Sequence, residues 1–435
     1  MIINIISNCK KGHINIKSKL SKTKKITICY TRCSIVKKKV GLLISSLNGG
    51  GAERVVSRLS AILNSEYDIY LILFDTKNIK YEYKGKIIDI NVPANRKGLL
   101  SKIKQLLQRT HRTKTIKKSE NLDIVISFLD SPNIVNILSK NKGCKVAISI
   151  RNYTDIEKKT SRTLKLANFL MKRLYRKADT VIPVSQEISK MLFEKYSISK
   201  SKLKVIYNPY DIIDIERLAN ENIEDKYENF MNSKKIFISV GRQTYQKGFW
   251  HLVKAFKLVL EKDPDARLVI IGSGNNDVKL MKLIKNLGIE NSVLLPGFQN
   301  NPFKFIKRSQ IFVMTSLFEG FPNALVEAMA CGCPVISTDC KSGPKEILLE
   351  KFNFNNTTED IIFGDYGILV PVFKEGENWD SGTIEAEEYL LAKAMTGLLS
   401  DKEKLKFYSR KSIERAKVFN YERCFKEYQS IIEDV

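Results

Sequence analysis

Two carboxylates eight residues apart, Glu319 and Glu327, frame the segment richest in chemical content, Ser316–Thr338 (SLFEGFPNALVEAMACGCPVIST). An apolar run, Ile311–Met314, precedes it and reads as a buried strand. After the Gly-Phe-Pro turn a helix is expected from about Pro322, since proline suits a first helical turn whose N–H has no partner. The N–H groups of Asn323, Ala324 and Leu325 then form an open helix end, which attracts phosphate. Glu319 lies before that end and Glu327 one to two turns inside it. The two could grip opposite ends of one ligand whose middle the helix holds. Each also fits a plainer role, as a capping and a solvent-facing glutamate.

A second cluster follows the run Ile236–Val240. It is Gly241-Arg242-Gln243-Thr244-Tyr245-Gln246-Lys247-Gly248. Arg242 offers a planar fork and Lys247 a point charge, and together they could neutralise a diphosphate. A third lies between the first strand and first helix, Asn48-Gly49-Gly50-Gly51-Ala52-Glu53-Arg54, where glycines let a backbone approach a ligand closely. Gly272-Ser273-Gly274 and Gly297-Phe298 also sit at expected strand ends. Other patterns carry less. Asp263-Pro264-Asp265 has the form of a metal–nucleotide DxD but precedes its strand. The three histidines, His13, His111 and His251, form no constellation with Ser or Asp, and the eight cysteines show no CxxC pair. Cys331-Gly-Cys333 reads as an apolar turn. No metal site is expected.

These clusters need a frame that presents strand C-termini to a common cleft. Short apolar runs at Val40–Leu47, Ile69–Phe74, Asp123–Phe128, Lys145–Ile150, Thr180–Pro183 and Lys204–Ile206 alternate with helical stretches such as Ala52–Leu63 and Leu164–Lys177. That is a βαβ series. It stops near Asn208-Pro209, and residues 210–233 are polar and acidic. A second series follows at Ile236–Val240, Arg267–Ile271, Ser292–Leu295, Ile311–Met314, Pro334–Ser337 and Gly367–Val370, with a polar insertion at 350–365. The expectation is two Rossmann-like, doubly wound α/β domains, 39–208 and 209–410, facing a central cleft. A charged helical stretch, Leu405–Ile432, closes the chain, and its residues 411–435 are expected to return to the first domain. With 435 residues and 43% hydrophobic content, two cores are affordable.

Taken together, the motifs resemble the retaining GT-B glycosyltransferases, specifically glycosyltransferase family 4. The marks are the E-x7-E pair within EGFPNALVEAMACGCPVI, GR-x4-KG at 241–248, NGGGAER at 48–54, IYNP at 206–209, SGPKEI at 342–347 and GDYGILVP at 364–371. The resemblance covers nearly all of 39–430 and looks toward bacterial enzymes of capsule, O-antigen or glycan-precursor biosynthesis. It implies that Arg242 and Lys247 stabilise the departing diphosphate of a nucleotide-sugar without a metal or other cofactor. Glu319 would contact the donor sugar near the reacting centre, and Glu327 the ribose. Gly320, Phe321, Pro322, Asn323, Ala324 and Leu325 would line the donor, Phe298 the base, and Gly50 and Gly51 would close over the phosphates. Many members carry a His at the end of an N-domain strand. Here the matching stretch reads AISIRN, with Arg151 and Asn152 in that place, so Arg151 is the expected electrostatic substitute on the acceptor side. A nucleotide-sugar epimerase shares the architecture and would act without acceptor.

Lys plus Arg outnumber Asp plus Glu by 73 to 47, a net charge of +26. Eleven of these bases fall in residues 1–39, which contain no acid. Residues 1–38 read as a disordered extension, or as lying upstream of the native start; their apolar Met1–Ile6 precedes the lysines, the reverse of a signal peptide. Two more acid-poor stretches, Arg96–Lys118 and Glu157–Lys177, lie in the expected acceptor domain. In the first, Leu99, Leu100, Ile103, Leu106 and Leu107 share a helical stripe. Its expected partner is an anionic membrane surface carrying a lipid-linked saccharide acceptor, at the cytoplasmic face. A nucleic-acid-binding protein is the competing reading of the charge, and no recognised motif for it is present.

Overall fold

The computed structural model describes residues 37–93, 98–153, 170–233 and 235–434. The basic extension up to residue 36, the start of the Arg96–Lys118 stretch (through residue 97) and the part of Glu157–Lys177 up to residue 169 lie outside them.

The first sheet contains β1 (Lys39–Ile44), β2 (Asp68–Leu73), β3 (Lys86–Asp89), β4 (Ile124–Phe128), β5 (Lys145–Ile150) and β6 (Thr180–Pro183), in the order β3-β2-β1-β4-β5-β6 and parallel throughout. The second contains β7 (Ile236–Val240), β8 (Arg267–Ile271), β9 (Val293–Gly297), β10 (Ile311–Met314), β11 (Val335–Thr338), β12 (Ile362–Phe363) and β13 (Ile368–Val370), ordered β12-β13-β11-β10-β7-β8-β9. Only β12 runs antiparallel to its neighbour. Strands covered by helices on both faces must be apolar on both, which is why β1 and β4 are nearly continuous buried runs.

In each sheet the strand order reverses once, and that reversal opens a crevice beyond the strand C-termini. In the first it lies between β1 and β4, where the Gly49–Gly51 loop departs. In the second it lies between β7 and β10, where the Arg242–Lys247 and Glu319 segments depart. Asp263-Pro264-Asp265 sits at the opposite edge, before β8, and Lys235 pairs with Asp263 at 2.8 Å and with Asp265 at 3.7 Å.

Four elements depart from the sequence expectation. Lys204–Ile206 adds no named strand, although Lys204 N–H and Ile206 N–H donate to Val181 O and Pro183 O beside β6. β3 and β12 are short edge strands with exposed or half-buried positions, so no apolar run announces them. The closing stretch is two helices, Lys402–Lys417 and Tyr421–Glu433, with Asn420 capping the second by accepting from Arg423 N–H at 2.9 Å.

The last helix buries Cys424, Tyr428, Ile431 and Ile432 in the core formed by β1, β2 and the Gly51–Leu63 helix. The chain therefore passes between the two halves twice, and the passages run side by side, with Tyr210 bridged to Asn420.

Candidate active site

β10 delivers Thr315 and Ser316 to the cleft, and the following loop is fixed by backbone bonds. Glu319 N–H donates to Lys341 O at 2.7 Å, and Glu319 O accepts from Ser342 N–H at 3.0 Å. Pro322 is the N-cap and the helix runs Asn323–Ala330. The Leu325 N–H is satisfied by Pro322 O at 3.2 Å. It is therefore not part of the open helix end expected from sequence. Among the described residues, the N–H groups of Asn323 and Ala324 have no acceptor.

The buried Glu319 carboxylate accepts from Lys247 Nζ at 2.6 Å and from Gln246 Nε2 at 3.3 Å. Lys247 closes a 3-10 turn, Tyr245–Lys247, and Gly248 follows at φ 59°. A side chain at 248 would meet Thr315 O at 2.5 Å, so glycine lets the lysine loop lie against the end of β10. The next helix, Phe249–Lys262, is pinned from behind by His251. Its Nδ1 lies 2.6 Å from Glu388 Oε1 and its ring stacks on Phe373 at 3.9 Å. His251, Glu385 and Glu388 bring ligand-type atoms together, with the buried Lys254 Nζ 4.0 Å from Glu388 Oε1. Arg242 is exposed at the end of β7, and among the described residues its guanidinium meets no carboxylate.

The N-terminal half meets this helix end directly. Gly51 faces Asn323, with the position of its absent Cβ 3.4 Å from Nδ2. Asn323 Oδ1 accepts from Asn208 Nδ2 at 2.6 Å and from Tyr210 Oη at 2.8 Å. The absent Cβ of Gly320 would lie only 1.7 Å from Arg151 O. Glu327, almost fully buried, accepts on Oε1 from Arg54 Nη1 at 3.2 Å and Arg58 Nη2 at 3.4 Å, both from the Gly51–Leu63 helix. The Glu327 carboxylate holds the Arg54 guanidinium above its ordinary pKa.

Several expected site residues have other neighbours. Phe321 is buried in an aromatic cluster with Tyr207 and Phe419, at centroid distances of 5.0 and 5.2 Å. Leu325 is fully buried. Phe298 stands 67% exposed beyond β9. The Arg151 guanidinium donates to Asn208 Oδ1 and lies over the Phe128 ring, so it reaches toward the linker between the two halves. Burial lowers its pKa, and among the described residues no carboxylate offsets it. Asn152 is exposed.

Arg58, Asn208, Tyr210 and Gln246 were not singled out from sequence. One signal existed, since Arg54 and Arg58 are four apart on the helix leaving a glycine loop and so share a face. Cys331 and Cys333 are buried in the turn before β11, with burial raising the Cys331 thiol pKa to about 12.

Comparison with known proteins agrees with this geometry. Residues 49–213 match the family model "Glycosyltransferase Family 4", and residues 220–357 match "Glycosyl transferases group 1". An uncharacterized glycosyltransferase of Methanocaldococcus jannaschii is 37% identical over 361 residues, covering 80% of this chain and 88% of the relative. The N-acetylgalactosamine-N,N'-diacetylbacillosaminyl-diphospho-undecaprenol 4-alpha-N-acetylgalactosaminyltransferase of Campylobacter jejuni is 32% identical, covering 88% of this chain and 96% of the relative. Among solved structures, Anabaena HepE in complex with UDP and glucose superposes with a TM-score of 0.68 at 18% identity, covering 92% of this chain and all of the other. The chain belongs to the glycosyltransferases of this group 1 and family 4 type. Its fold is GT-B, and its relatives include enzymes of capsule and polysaccharide biosynthesis.

Proposed function

We propose that this glycosyltransferase moves a hexose or N-acetylhexosamine from a UDP-sugar to a lipid-linked saccharide, with retention of anomeric configuration and without a metal. The observation that carries the reading is the set of groups around one helix end. The Lys247–Glu319 pair stands before the Asn323 N-terminus, Glu327 lies about one turn inside the helix, and the Gly51 loop faces Asn323. A diphosphate at the helix end would receive the open N–H groups, while Lys247 and Arg242 neutralise the charge that grows as it leaves. Glu319, beside Lys247, would meet the sugar that is being released. Glu327 would accept from the ribose hydroxyls. The name of the Campylobacter relative specifies a diphospho-undecaprenol-linked acceptor, which supports the lipid-linked class.

The Leu99–Ser119 helix supports a peripheral membrane contact. Leu100 (84% exposed), Ile103 and Leu107 (64% exposed) project from one face, with Lys104 and Lys114 exposed beside them. Not all of its bases are available to lipid. Buried Arg109 donates to Val92 O and stacks over Phe74 at 4.1 Å, and buried Lys117 donates to Asn136 O at 2.9 Å. No helix among the described residues is long and apolar enough to cross a membrane.

The test is a screen of UDP- and GDP-sugars by thermal stabilisation and slow nucleotide release. Stabilisation by a UDP-sugar, lost in Arg242→Ala and in Glu327→Ala, is the expected result; no stabilisation of the folded chain by any donor would refute the donor-site reading. For the membrane contact, Leu100→Ser with Leu107→Ser should abolish binding to vesicles containing anionic lipid. Unchanged binding would rule it out.

A further inference from the structure

The Glu327 carboxylate sits on the C-terminal half, yet both cations that meet it come from the N-terminal half. Arg54 and Arg58 lie one turn apart on the helix that leaves the glycine loop, so both reach the same oxygen, Oε1. Neither is loosely held. Arg54 lies over the Tyr81 ring at 5.6 Å, and the second Nη of Arg58 donates to Pro209 O at 3.4 Å. Glu327 is 5% exposed, and among the described residues no cation of its own half pairs with it. A carboxylate that buried is fixed in direction by the groups that hydrogen-bond to it. Among the described residues, Oε2 accepts no hydrogen bond.

We infer that Arg54 and Arg58 are positioning residues for the nucleotide. They hold Glu327 by Oε1 so that Oε2 presents itself to the ribose diol, and they make nucleotide affinity depend on closure of the cleft. The inference rests on the reading of Glu327 as the ribose partner. A ribose hydroxyl is a weak donor that rewards an ionised, oriented acceptor. The arginines supply the orientation, but only when the two halves meet. Coupling of this kind is reciprocal, so nucleotide binding favours closure as much as closure favours binding. The opposite arrangement would be a competing latch, in which the arginines occupy the carboxylate and the ribose must displace them.

The sign of one change separates the two. UDP and 2′-deoxy-UDP affinities are measured calorimetrically on the full chain, wild type, R54Q/R58Q, E327Q and the triple variant. UDP should bind R54Q/R58Q at least tenfold more weakly. The triple variant should match E327Q within twofold, because the arginines act through the carboxylate. 2′-Deoxy-UDP should lose far less than UDP on R54Q/R58Q. Tighter or unchanged UDP binding by R54Q/R58Q would overturn the inference, as would a further loss on the E327Q background. If E327Q weakens UDP while R54Q/R58Q does not, the inference alone fails. If E327Q binds UDP like wild type, or wild type binds no UDP, the ribose reading fails and the inference with it. Should the double variant not fold, R54Q at the more exposed arginine carries the same test.

Discussion

Replacing Gly320 by Ala should stop the cleft from closing while leaving both halves folded. The added Cβ would fall 1.7 Å from Arg151 O and 2.6 Å from Arg151 C. Side-chain carbons essentially never approach closer than 3.0 Å, so the two halves must retreat by at least about 1.3 Å at this point. The obstacle is backbone on both sides, so no rotamer change relieves it. Retreat acts on the contacts that span the gap, Asn323 with Asn208 and Glu327 with Arg54 and Arg58. A misplacement of about 1 Å at a reacting centre slows chemistry by roughly 10²-fold. The Gly320 backbone is not in the left-handed region, so alanine is conformationally acceptable there. Thermal stability should change by less than about 1 kcal/mol. The assay pairs turnover on lipid-linked acceptor with small-angle scattering in the presence of UDP. Wild type should contract on binding UDP and G320A should not. Wild-type turnover together with wild-type contraction in G320A would falsify the reasoning.

Other outcomes follow from single side chains. Lys247→Ala and Glu319→Ala should each lower turnover by about 10²-fold or more at unchanged folding, checked by steady-state kinetics alongside circular dichroism. Burial lowers the Lys117 pKa to about 8. Between pH 8 and 10.5 the folded chain releases this proton before the unfolded one, so stability should rise with pH across that window, by about 3 kcal/mol in all. Lys117→Met should remove the slope and raise the melting temperature at pH 7, because Ser139 Oγ still donates to Asn136 O at 3.0 Å; a slope that persists would refute the assignment. Burial raises Glu187 to about 7, a shift the nearby Lys341 opposes. The folded chain keeps that proton from pH 4.5 to 7, so stability is lost as pH rises through the window. Glu187→Gln should therefore stabilise at pH 8 and be neutral at pH 4, as read by melting temperature.

The two sheets were legible because their central strands are covered on both faces and read as uninterrupted apolar runs. The edge strands Lys86–Asp89 and Ile362–Phe363 were not, since an edge needs little apolar surface. Glu319, Arg242 and Lys247 could be picked out as residues immediately beyond a strand. The family resemblance implied that Phe321 lines the donor, and the fold packs its ring in the aromatic cluster with Tyr207 and Phe419. What position along the chain cannot show is which residues meet when two halves come together. Arg58 lies 269 residues from Glu327, and Asn208 lies 115 from Asn323. Arg109 and Lys117 counted as surface charge until the fold turned them inward.

The helix Tyr421–Glu433 has a consequence for the order in which this protein can be made. Its Cys424, Tyr428, Ile431 and Ile432 complete the core of the half that is synthesised first. Each of those side chains contributes roughly 1–3 kcal/mol by burial, a large share of a margin of about 5–15 kcal/mol. On the ribosome, residues 37–207 must therefore wait, with an apolar face of their sheet uncovered, until the whole second half has emerged. In that interval the uncovered apolar face exposes the nascent chain to aggregation. Fragments cut at the linker should inherit the same exposed face permanently, and activity should return only when the C-terminal helix is supplied with them.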